Sequence, residues 1–387
     1  MQDSEQAARE VTDWLAGQET AMANLLGRIV DIDSGSHDKP GIDRVVATLD
    51  DFLTSHGIAT DTLPQERNGN VLRARIGPRA NTGAVLLSGH CDTVFPKGEA
   101  SRRPFTIRDG RAYGPGVADM KAGLVMNCFV LAALARRGDL AVPVAGLFTG
   151  DEEIGSPASK DIIRAEARGA RAVFNAEPGR PGGEVVTGRR ACLFVHLKIT
   201  GRAAHSGANI QAGRSALQEL AEKIIRLHAL TDMSRNISVN VGLASGGQSA
   251  NTVAPDATAV FDVRYADPFD RAPLMQEIEH ILQSSYLPGT STEYVVKGEF
   301  PPFAQSEGSR ALFETYRAGA QSEGVDIKGV YTLGGADSGF AAETGAATLC
   351  GTGPVGGNYH SPDEYIEMPS LLQRTSILGR TIITMTA

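Results

Sequence analysis

The sequence predicts an α/β fold with a mixed, mostly parallel sheet, into which a second domain of ferredoxin-like βαββαβ order is inserted. Strand-like apolar runs alternate with helical segments through residues 1–187, an order typical of parallel strands joined and covered by helices. Residues 188–299 change to strand, helix, two strands, helix and strand, which is the order of a split βαβ unit.

The length of the chain supports this division. Its 387 residues exceed one typical domain. A βαββαβ unit closes on itself, so it can interrupt a host domain whose sheet resumes afterwards. We therefore predict a host domain formed by residues 1–187 and 300–387, and an inserted domain at 188–299. Turn-forming stretches rich in proline or glycine at 178–183 and 299–302 supply the connections.

The individual elements follow from hydrophobic spacing. The first 30 residues predict one amphipathic helix, because Val11, Leu15, Leu25 and Ile29 lie near helical spacing. In the rest of the host domain, helices are expected at 42–55, 121–137, 309–322 and from 369 onward, and strands at 71–76, 84–88, 143–149 and 171–175. In the inserted domain, strands are expected at 191–200, 236–243, 258–265 and 292–297, and helices at 212–230 and 272–284.

Composition restricts the class of partner. The chain is 42% hydrophobic and 21% charged, as expected of a globular protein with an ordinary core. Its formal net charge of −8 argues against nucleic acid or an anionic membrane, since both favour a basic surface. No apolar run reaches the roughly 20 residues that span a bilayer. The first residues lack the basic and apolar segments of a secretory signal, so we expect a cytoplasmic protein, or a periplasmic one if a signal peptide has been removed.

Acids and histidines follow three of the predicted strands. His90 and Asp92 come after the run 84–89, Glu152 and Glu153 after the run 144–150, and Glu177 after the run 172–176. Two further candidates, Asp119 and His360, lie in glycine-rich turns. In α/β proteins ligand sites form where the carboxyl ends of neighbouring strands open into a crevice. These side chains are therefore expected to converge.

The donor types indicate a pair of zinc ions. Two imidazoles (His90 and His360) and three carboxylates (Asp119, Glu153 and Glu177) suit zinc better than calcium or magnesium, which prefer oxygen ligands only. Two Zn²⁺ against three carboxylates leave one positive charge, which a bound hydroxide would neutralise. Two-metal sites hold their ions about 3.5–4 Å apart, usually with a bridging carboxylate. One of the three acids should therefore bridge.

Two more acids are placed to assist. Adjacent side chains at an extended strand end point in different directions, so Glu153 can bind metal while Glu152 faces the attacking water as general base. Asp92, two residues after His90, can accept a hydrogen bond from that imidazole and fix its tautomer.

Motifs across nearly the whole chain resemble the aminoacylase and glutamate carboxypeptidase family of dizinc metallopeptidases, which also includes acetylornithine deacetylase and succinyl-diaminopimelate desuccinylase. The resemblance is strongest to the folate-hydrolysing glutamate carboxypeptidase group. The matching segments are 88–94 (Ser-Gly-His-Cys-Asp-Thr-Val), 113–123, 149–156 (Thr-Gly-Asp-Glu-Glu-Ile-Gly-Ser), 176–178 and 359–361. The resemblance implies a zinc-peptidase-like catalytic domain, with the inserted domain acting as a lid that also carries the dimer contact.

The resemblance also implies roles for single residues. Asp119 would bridge, His90 and Glu177 would complete one zinc site, and Glu153 and His360 the other. Glu152 would be the general base and Asp92 the residue that orients His90. In the lid, His205 of the segment 201–207 would stabilise the oxyanion, often across a dimer. The substrate contacts would be Asn251, Arg264 and Gly335.

One departure concerns specificity. The folate-type enzymes carry a lysine after the third zinc motif and an arginine near the lid exit, where this chain has Glu184 and Glu299. Acidic groups there would repel a glutamate side chain, so these positions argue against glutamate as the released residue.

The sequence therefore predicts a zinc-dependent hydrolase that cleaves an amide or peptide C–N bond of a small substrate, an N-acyl amino acid or a C-terminal amino acid, using a water activated by Glu152. Cobalt or manganese can replace zinc in such sites, and a homodimer through the lid is expected. The same metal chemistry on another C–N bond, as in a deaminase of a small aromatic amine, is the first alternative. An inactive binding homologue and a single-metal calcium or magnesium enzyme are the others.

Overall fold

The computed structural model describes residues 2–79 and 83–386. Its helices are α1 (Gln2–Ala16), α2 (Glu19–Val30), α3 (Lys39–Ser55), α4 (Glu99–Arg102), α5 (Ala122–Arg137), α6 (Lys160–Ala167), α7 (Ala216–His228), α8 (Arg271–Gln283), α9 (Glu307–Ser322), α10 (Ser338–Ala342) and α11 (Met368–Thr386). Its strands are β1 (Ala59–Leu63), β2 (Val71–Ile76), β3 (Val85–His90), β4 (Thr106–Arg108), β5 (Arg111–Tyr113), β6 (Val144–Thr149), β7 (Ala172–Asn175), β8 (Val185–Arg189), β9 (Cys192–Thr200), β10 (Ser238–Gly246), β11 (Asp256–Arg264), β12 (Ser291–Phe300), β13 (Gly329–Thr332), β14 (Thr348–Leu349), β15 (Gly356–Gly357) and β16 (Tyr365–Glu367).

The chain divides into two compact units. The first comprises residues 1–188, 305–332 and 336–387, and the second comprises residues 189–304 together with 333–335. The second unit thus continues a few residues beyond the predicted end at 299 and also takes in the segment that contains Gly335. The bridge between Arg189 and Phe303 pairs the two ends of this unit, which explains why the chain leaves it after residue 303 rather than before.

A six-stranded sheet of order β1-β2-β6-β3-β7-β14 forms the centre of the first unit. Strands β6, β3, β7 and β14 run parallel, whereas β2 and β1 add to the edge as antiparallel strands. Every residue of β3, β6 and β7 is buried, because helices cover both faces of a parallel sheet. The predicted mixed, mostly parallel sheet is confirmed.

Helix α5 is the central helix of this core. The stretch Val117–Arg137 is long and apolar enough to cross a membrane by length and composition, which the sequence expectation overlooked, but 94% of its most apolar window is buried inside the protein. Its apolar character is therefore accounted for by packing. The N-terminal prediction was wrong in one respect: two helices, α1 and α2, replace a single one, with Gly17 and Gln18 between them.

The second unit follows the predicted βαββαβ order, from β9 through α7, β10, β11 and α8 to β12. Its sheet has the order β10-β11-β9-β12, with antiparallel pairing throughout. Alternate residues of β9 and β11 are buried, and helices α7 and α8 pack on that face. This one-sided burial is typical of an antiparallel sheet with helices on a single face.

Candidate metal centre

Three adjacent parallel strands bring the strand-end residues together. Strand β3 lies between β6 and β7, and all three point in the same direction. His90 is the last residue of β3, Glu152 and Glu153 follow the end of β6, and Glu177 follows the end of β7. Their side chains therefore meet at one edge of the sheet, where an α/β fold places its ligands.

Two groups of ligand atoms form at this edge and share Asp119. His90, Asp119 and Glu177 make the first group, and Asp119, Glu153 and His360 make the second, with the atoms of each group within 4.8 Å of one another. His90 Nε2 lies 3.3 Å from Asp119 Oδ1 and 3.4 Å from Glu177 Oε1. His360 Nε2 lies 3.3 Å from Asp119 Oδ2 and 3.5 Å from Glu153 Oε2. Each group thus receives one oxygen of Asp119, which is the arrangement of a bridging carboxylate.

The chemistry of this cluster fits metal cations. His90 Nε2 and Glu153 Oε1 are buried and make no hydrogen bond within the described parts of the chain. The side chains of Asp119, Glu152, Glu153 and Glu177 are at most 13% exposed, so several carboxylates are crowded away from water. Buried like charges are costly unless cations compensate them. Two imidazoles among carboxylates match the donors that zinc prefers.

Hydrogen bonding sets the orientation of the His90 ring. Its Nδ1 lies 3.0 Å from the backbone oxygen of Asp92 and 3.3 Å from the Asp92 carboxylate. Because both partners are acceptors, we assign the ring proton to Nδ1, which leaves Nε2 to face Asp119 and Glu177. Burial lowers the pKa of His90, but the carboxylates of Asp119, Asp92 and Glu177 beside the ring outweigh it and raise that pKa well above its usual value. A proton and a metal ion therefore compete for the same nitrogen.

Asp92 also holds the turn that carries Glu152 and Glu153. Its fully buried carboxylate accepts hydrogen bonds from the backbone N–H of Glu152 and of Glu153, each at 3.1 Å, and from Ser36 Oγ at 2.7 Å. The sequence predicted the contact with His90 but not this second one. The acid after the strand β3 therefore positions ligands on two strands.

The side chains of Glu152 and Glu153 point in different directions, as predicted, but for a different reason. They lie in a short 3₁₀ turn, Glu152–Ile154, rather than in extended backbone. Successive side chains of a 3₁₀ helix are about 120° apart. Glu153 is directed at His360, and Glu152 Oε2 lies 4.0 Å from His90 Nε2. Burial raises the pKa of Glu152 well above its usual value, and the neighbouring Glu177 and Glu153 add to this although His90 opposes it.

His360 reaches the site from a tight turn near the C-terminus. Its φ of 60° and the φ of 57° at Asn358 are both left-handed, a region that histidine and asparagine enter more readily than most residues. Ser361 closes the turn, since its Oγ donates to the backbone oxygen of Asn358 at 2.7 Å. The His360 side chain is 52% exposed, so the second group faces the solvent more openly than the first.

Three supporting residues escaped the sequence analysis: Asn175, Asp337 and Glu364. Asn175 Oδ1 accepts from the backbone N–H of Glu177 at 3.1 Å, and its Nδ2 donates to Asp337 Oδ1 at 2.7 Å. Burial raises the pKa of Asp337 to about 7. Glu364 Oε1 accepts from the backbone N–H of Asp119 at 3.0 Å. The available signals were a polar residue at the end of an apolar strand, an acid two residues after Gly335 and an acid four residues after His360.

His205 and Asn251 lie side by side within the second unit. His205 pairs with Thr252 in a β-bridge, and the backbone N–H of Ser206 donates to the backbone oxygen of Asn251 at 2.9 Å. His205 Nδ1 accepts from the N–H groups of Gly207 and Ala208 at 3.1 and 3.2 Å. We therefore assign the ring proton to Nε2, which leaves an exposed N–H free to donate.

Other residues singled out in the sequence have partners inside the second unit. Arg264 Nε lies 2.9 Å from both oxygens of Asp262, so a substrate carboxylate would have to compete with an existing ion pair. An added Cβ at Gly335 would lie 3.0 Å from side-chain atoms of both Cys192 and Phe300, so close packing favours glycine there. Glu299 is paired with Arg271, whose Nη2 donates to Oε2 at 2.8 Å. Its charge is therefore compensated, which weakens the argument that it would repel a glutamate side chain.

Comparisons with known proteins identify the family. Residues 86–384 match the model of peptidase family M20/M25/M40. The chain is 30% identical over 385 residues to carboxypeptidase G2 of Pseudomonas sp. (strain RS-16), covering 96% of this chain and 90% of the relative. It is 31% identical over 334 residues to succinyl-diaminopimelate desuccinylase of Methylobacterium radiotolerans, covering 80% of this chain and 83% of the relative.

The fold agrees with this assignment. The YXEP protein of Bacillus subtilis, a dinuclear metal-binding peptidase of the M20 family, superposes with a TM-score of 0.69 at 16% identity, covering 96% of this chain and 99% of that one. The family model and the relatives each span most of the chain, and the ligand groups lie within the matched region. This chain belongs to peptidase family M20/M25/M40, whose members are metal-dependent hydrolases of peptide and amide bonds.

Proposed function

We propose that this protein is a dizinc hydrolase that releases an amino acid from a small amide, either an N-acyl amino acid or the C-terminal residue of a short peptide. The observation that carries this proposal is the sharing of Asp119 between two ligand groups, each completed by one histidine and one glutamate. Zinc is favoured over calcium or magnesium by those two imidazoles. Cobalt and manganese remain substitutes, since they accept the same donors.

When bound, the two ions would polarise the scissile carbonyl and make the attacking water more acidic. His90 and Glu177 would hold one ion, Glu153 and His360 the other, and Asp119 both. Their positions are supported by the distances between their ligand atoms. The protein's own contribution is to hold these donors in fixed positions, with His90 and the three carboxylates largely buried and His360 facing the solvent.

Glu152 is the residue we assign to proton transfer. It lies in neither ligand group, it is 7% exposed, and burial raises its pKa, whereas two cations bound nearby would lower it again. These opposed effects bring the carboxylate towards the range in which it can take a proton from water and return it to the leaving nitrogen. Asp92 supports this role by accepting the backbone N–H of Glu152.

His205, Asn251, Arg264 and Gly335 remain predicted substrate-side residues. The exposed Nε2–H that we assign to His205 supports a donor role toward an oxyanion. Arg264 would serve a substrate carboxylate only by exchanging Asp262 for it, so its assignment has weaker support. The released residue is left open, because Arg271 compensates Glu299 and leaves Glu184 as the one remaining acidic group of the two that argued against glutamate.

We also propose a cytoplasmic homodimer that pairs through the second unit. Strand β10 is an edge of the sheet, and its Leu243 is 67% exposed. Helix α7 packs against β10 and presents Leu217 and Ile225, which are 41% and 67% exposed. A second copy would cover both the open edge and these side chains. Sedimentation velocity of the wild type and of Ile225→Lys tests this, since the variant should sediment as a monomer.

The test of the function is a substrate panel with the zinc-loaded protein. N-acyl amino acids, dipeptides and aryl amines are assayed for product release, with Glu152→Gln as the inactive variant and Glu314→Gln, whose side chain is 66% exposed, as the matched control. Release of amino acids that is lost only in Glu152→Gln supports the proposal. Turnover of aryl amines alone would instead favour the deaminase alternative. A protein that binds zinc but turns over nothing would favour an inactive binding homologue.

A further inference from the structure

Glu364 links the segment of His360 to the segment of Asp119. It lies four residues after His360 in the sequence and is completely buried. Its Oε1 accepts from the backbone N–H of Ala118 at 2.8 Å and from that of Asp119 at 3.0 Å. A carboxylate on the His360 segment thus accepts a hydrogen bond from the backbone of Asp119, the residue that both ligand groups share.

The segment that Glu364 holds is irregular. Asp119 has φ −112° and ψ 91°, which is not helical, and the regular helix α5 begins only at Ala122. The N–H groups just before a helix have no partner within it, and buried N–H groups need acceptors. Glu364 supplies an acceptor for two of them. Without it, the backbone that carries Asp119 would lose the contacts that fix its position.

The same arrangement recurs around the site. Asp92, two residues after His90, accepts from the backbone of Glu152 and Glu153, and Asn175 accepts from the backbone of Glu177. In each case a buried side chain fixes a ligand-bearing loop through its backbone. Glu364 differs in its consequence, because Asp119 is the ligand common to both groups.

We propose that Glu364 is a positioning residue for the bridging carboxylate of Asp119 and thereby sets the affinity of both metal ions. This inference rests on the proposed dizinc centre. Losing an outer hydrogen-bond partner of a metal ligand typically weakens binding by about 10–100-fold. Replacing a residue that supports only one ligand group would lower the affinity for one ion, whereas Glu364→Ala is expected to lower the affinity for both.

Two further variants of Glu364 separate the effect of its hydrogen bonds from that of its charge and from that of its side-chain length. In Glu364→Gln the amide oxygen can still accept from Ala118 and Asp119, while the NH₂ group takes the place of Oε2, which is buried without a hydrogen-bond partner in the described parts of the chain, and so loses part of the stabilisation. This variant should retain more affinity than Glu364→Ala at both sites. Glu364→Asp keeps the charge but shortens the side chain, so it should weaken both sites.

The experiment is a zinc titration of the full-length protein after removal of metal, with a competing chelator that resolves both dissociation constants. Thermal unfolding of each variant with and without zinc is recorded in parallel. The matched control is Glu219 of the second unit, which is equally buried and accepts from the backbone N–H of Tyr286 and Leu287 at 3.0 and 2.6 Å. Glu219→Gln should lower the unfolding temperature without changing either zinc affinity.

The expected result is a loss at both zinc sites in Glu364→Ala and Glu364→Asp, with Glu364→Gln intermediate. Zinc should then raise the unfolding temperature of the weakened variants less than that of the wild type. Wild-type affinities in Glu364→Asp would overturn the proposal, even if Glu364→Ala does not fold. So would equal affinity changes in the Glu364 and Glu219 variants. If the wild type itself binds no zinc, the proposed dizinc centre is refuted, and this outcome is distinguishable from a failure of the role proposed for Glu364.

Discussion

Replacing Asp92 by asparagine removes one acceptor oxygen from a buried carboxylate that serves four donors. Asp92 Oδ1 faces His90 Nδ1 and the N–H of Glu152, and Oδ2 faces Ser36 Oγ and the N–H of Glu153. The amide must keep its oxygen toward the His90 proton, so its NH₂ group replaces Oδ2. Ser36 can rotate its hydroxyl to accept, but the N–H of Glu153 cannot, and it loses its acceptor.

The magnitude follows from that orphaned group. A buried donor without a partner costs about 1–3 kcal/mol, which favours a shift of the turn that carries Glu153, and each amount of about 1.4 kcal/mol that this shift takes from zinc binding lowers the affinity tenfold. Because the orphaned N–H belongs to Glu153, we expect the zinc site of Glu153 and His360 to weaken by about 10–100-fold. The site of His90 and Glu177 should change less.

The assay is the same chelator competition, with Ser36→Ala as the control. That variant removes only the hydroxyl donor, so both backbone N–H groups keep their acceptors and both zinc affinities should stay close to those of the wild type. The reasoning is refuted if Asp92→Asn binds both zinc ions as the wild type does, or if its larger loss falls on the site of His90.

Four further predictions follow from the structure. Zinc affinity should rise with pH up to about 9, because the hydrogen bond to Asp119 raises the pKa of His360 to about 9 and zinc must displace that proton. Calorimetry in buffers of different ionisation enthalpy should show that zinc binding releases protons at pH 7. Binding without proton release would contradict the assignment. His205→Ala should lower kcat about 10²–10³-fold, as loss of an oxyanion donor does, with zinc content unchanged, and an unaltered kcat would remove His205 from the mechanism. Gly123→Ala should reduce both stability and zinc binding, because its Cβ would lie 2.0 Å from the backbone oxygen of Ala176, next to Glu177; thermal unfolding and zinc titration decide this. In the wild type the buried Glu219 carboxylate lies 3.0 Å from Lys223 Nζ. Lys223→Met should destabilise the protein by about 3–5 kcal/mol, since it leaves that carboxylate without its cation. A urea unfolding midpoint equal to that of the wild type would contradict this.

Three of the five candidate ligand residues could be predicted from the sequence because they follow a local pattern. His90 and Glu177 come directly after short apolar runs and Glu153 comes three residues after one, and such runs become adjacent parallel strands whose carboxyl ends meet at one edge. The order of the inserted unit was predictable for a similar reason, since apolar and polar residues alternate along β9 and β11, and the burial of those two strands alternates accordingly. Periods of two and 3.6 residues can be seen in a sequence without knowing the fold.

The tertiary structure decided what holds the candidate ligands in place. Residue types alone allow any of three acids to bridge, the family resemblance points to Asp119, and the position of Asp119 between His90 and His360 agrees with that expectation. The contacts of Glu364 with Asp119 and of Asn175 with Asp337 join residues that are 245 and 162 positions apart. The ion pair of Glu299 with Arg271 likewise weakened an argument made from residue type. Hydrogen bonds between distant segments follow no sequence period, because they depend on which loops the packed core brings together.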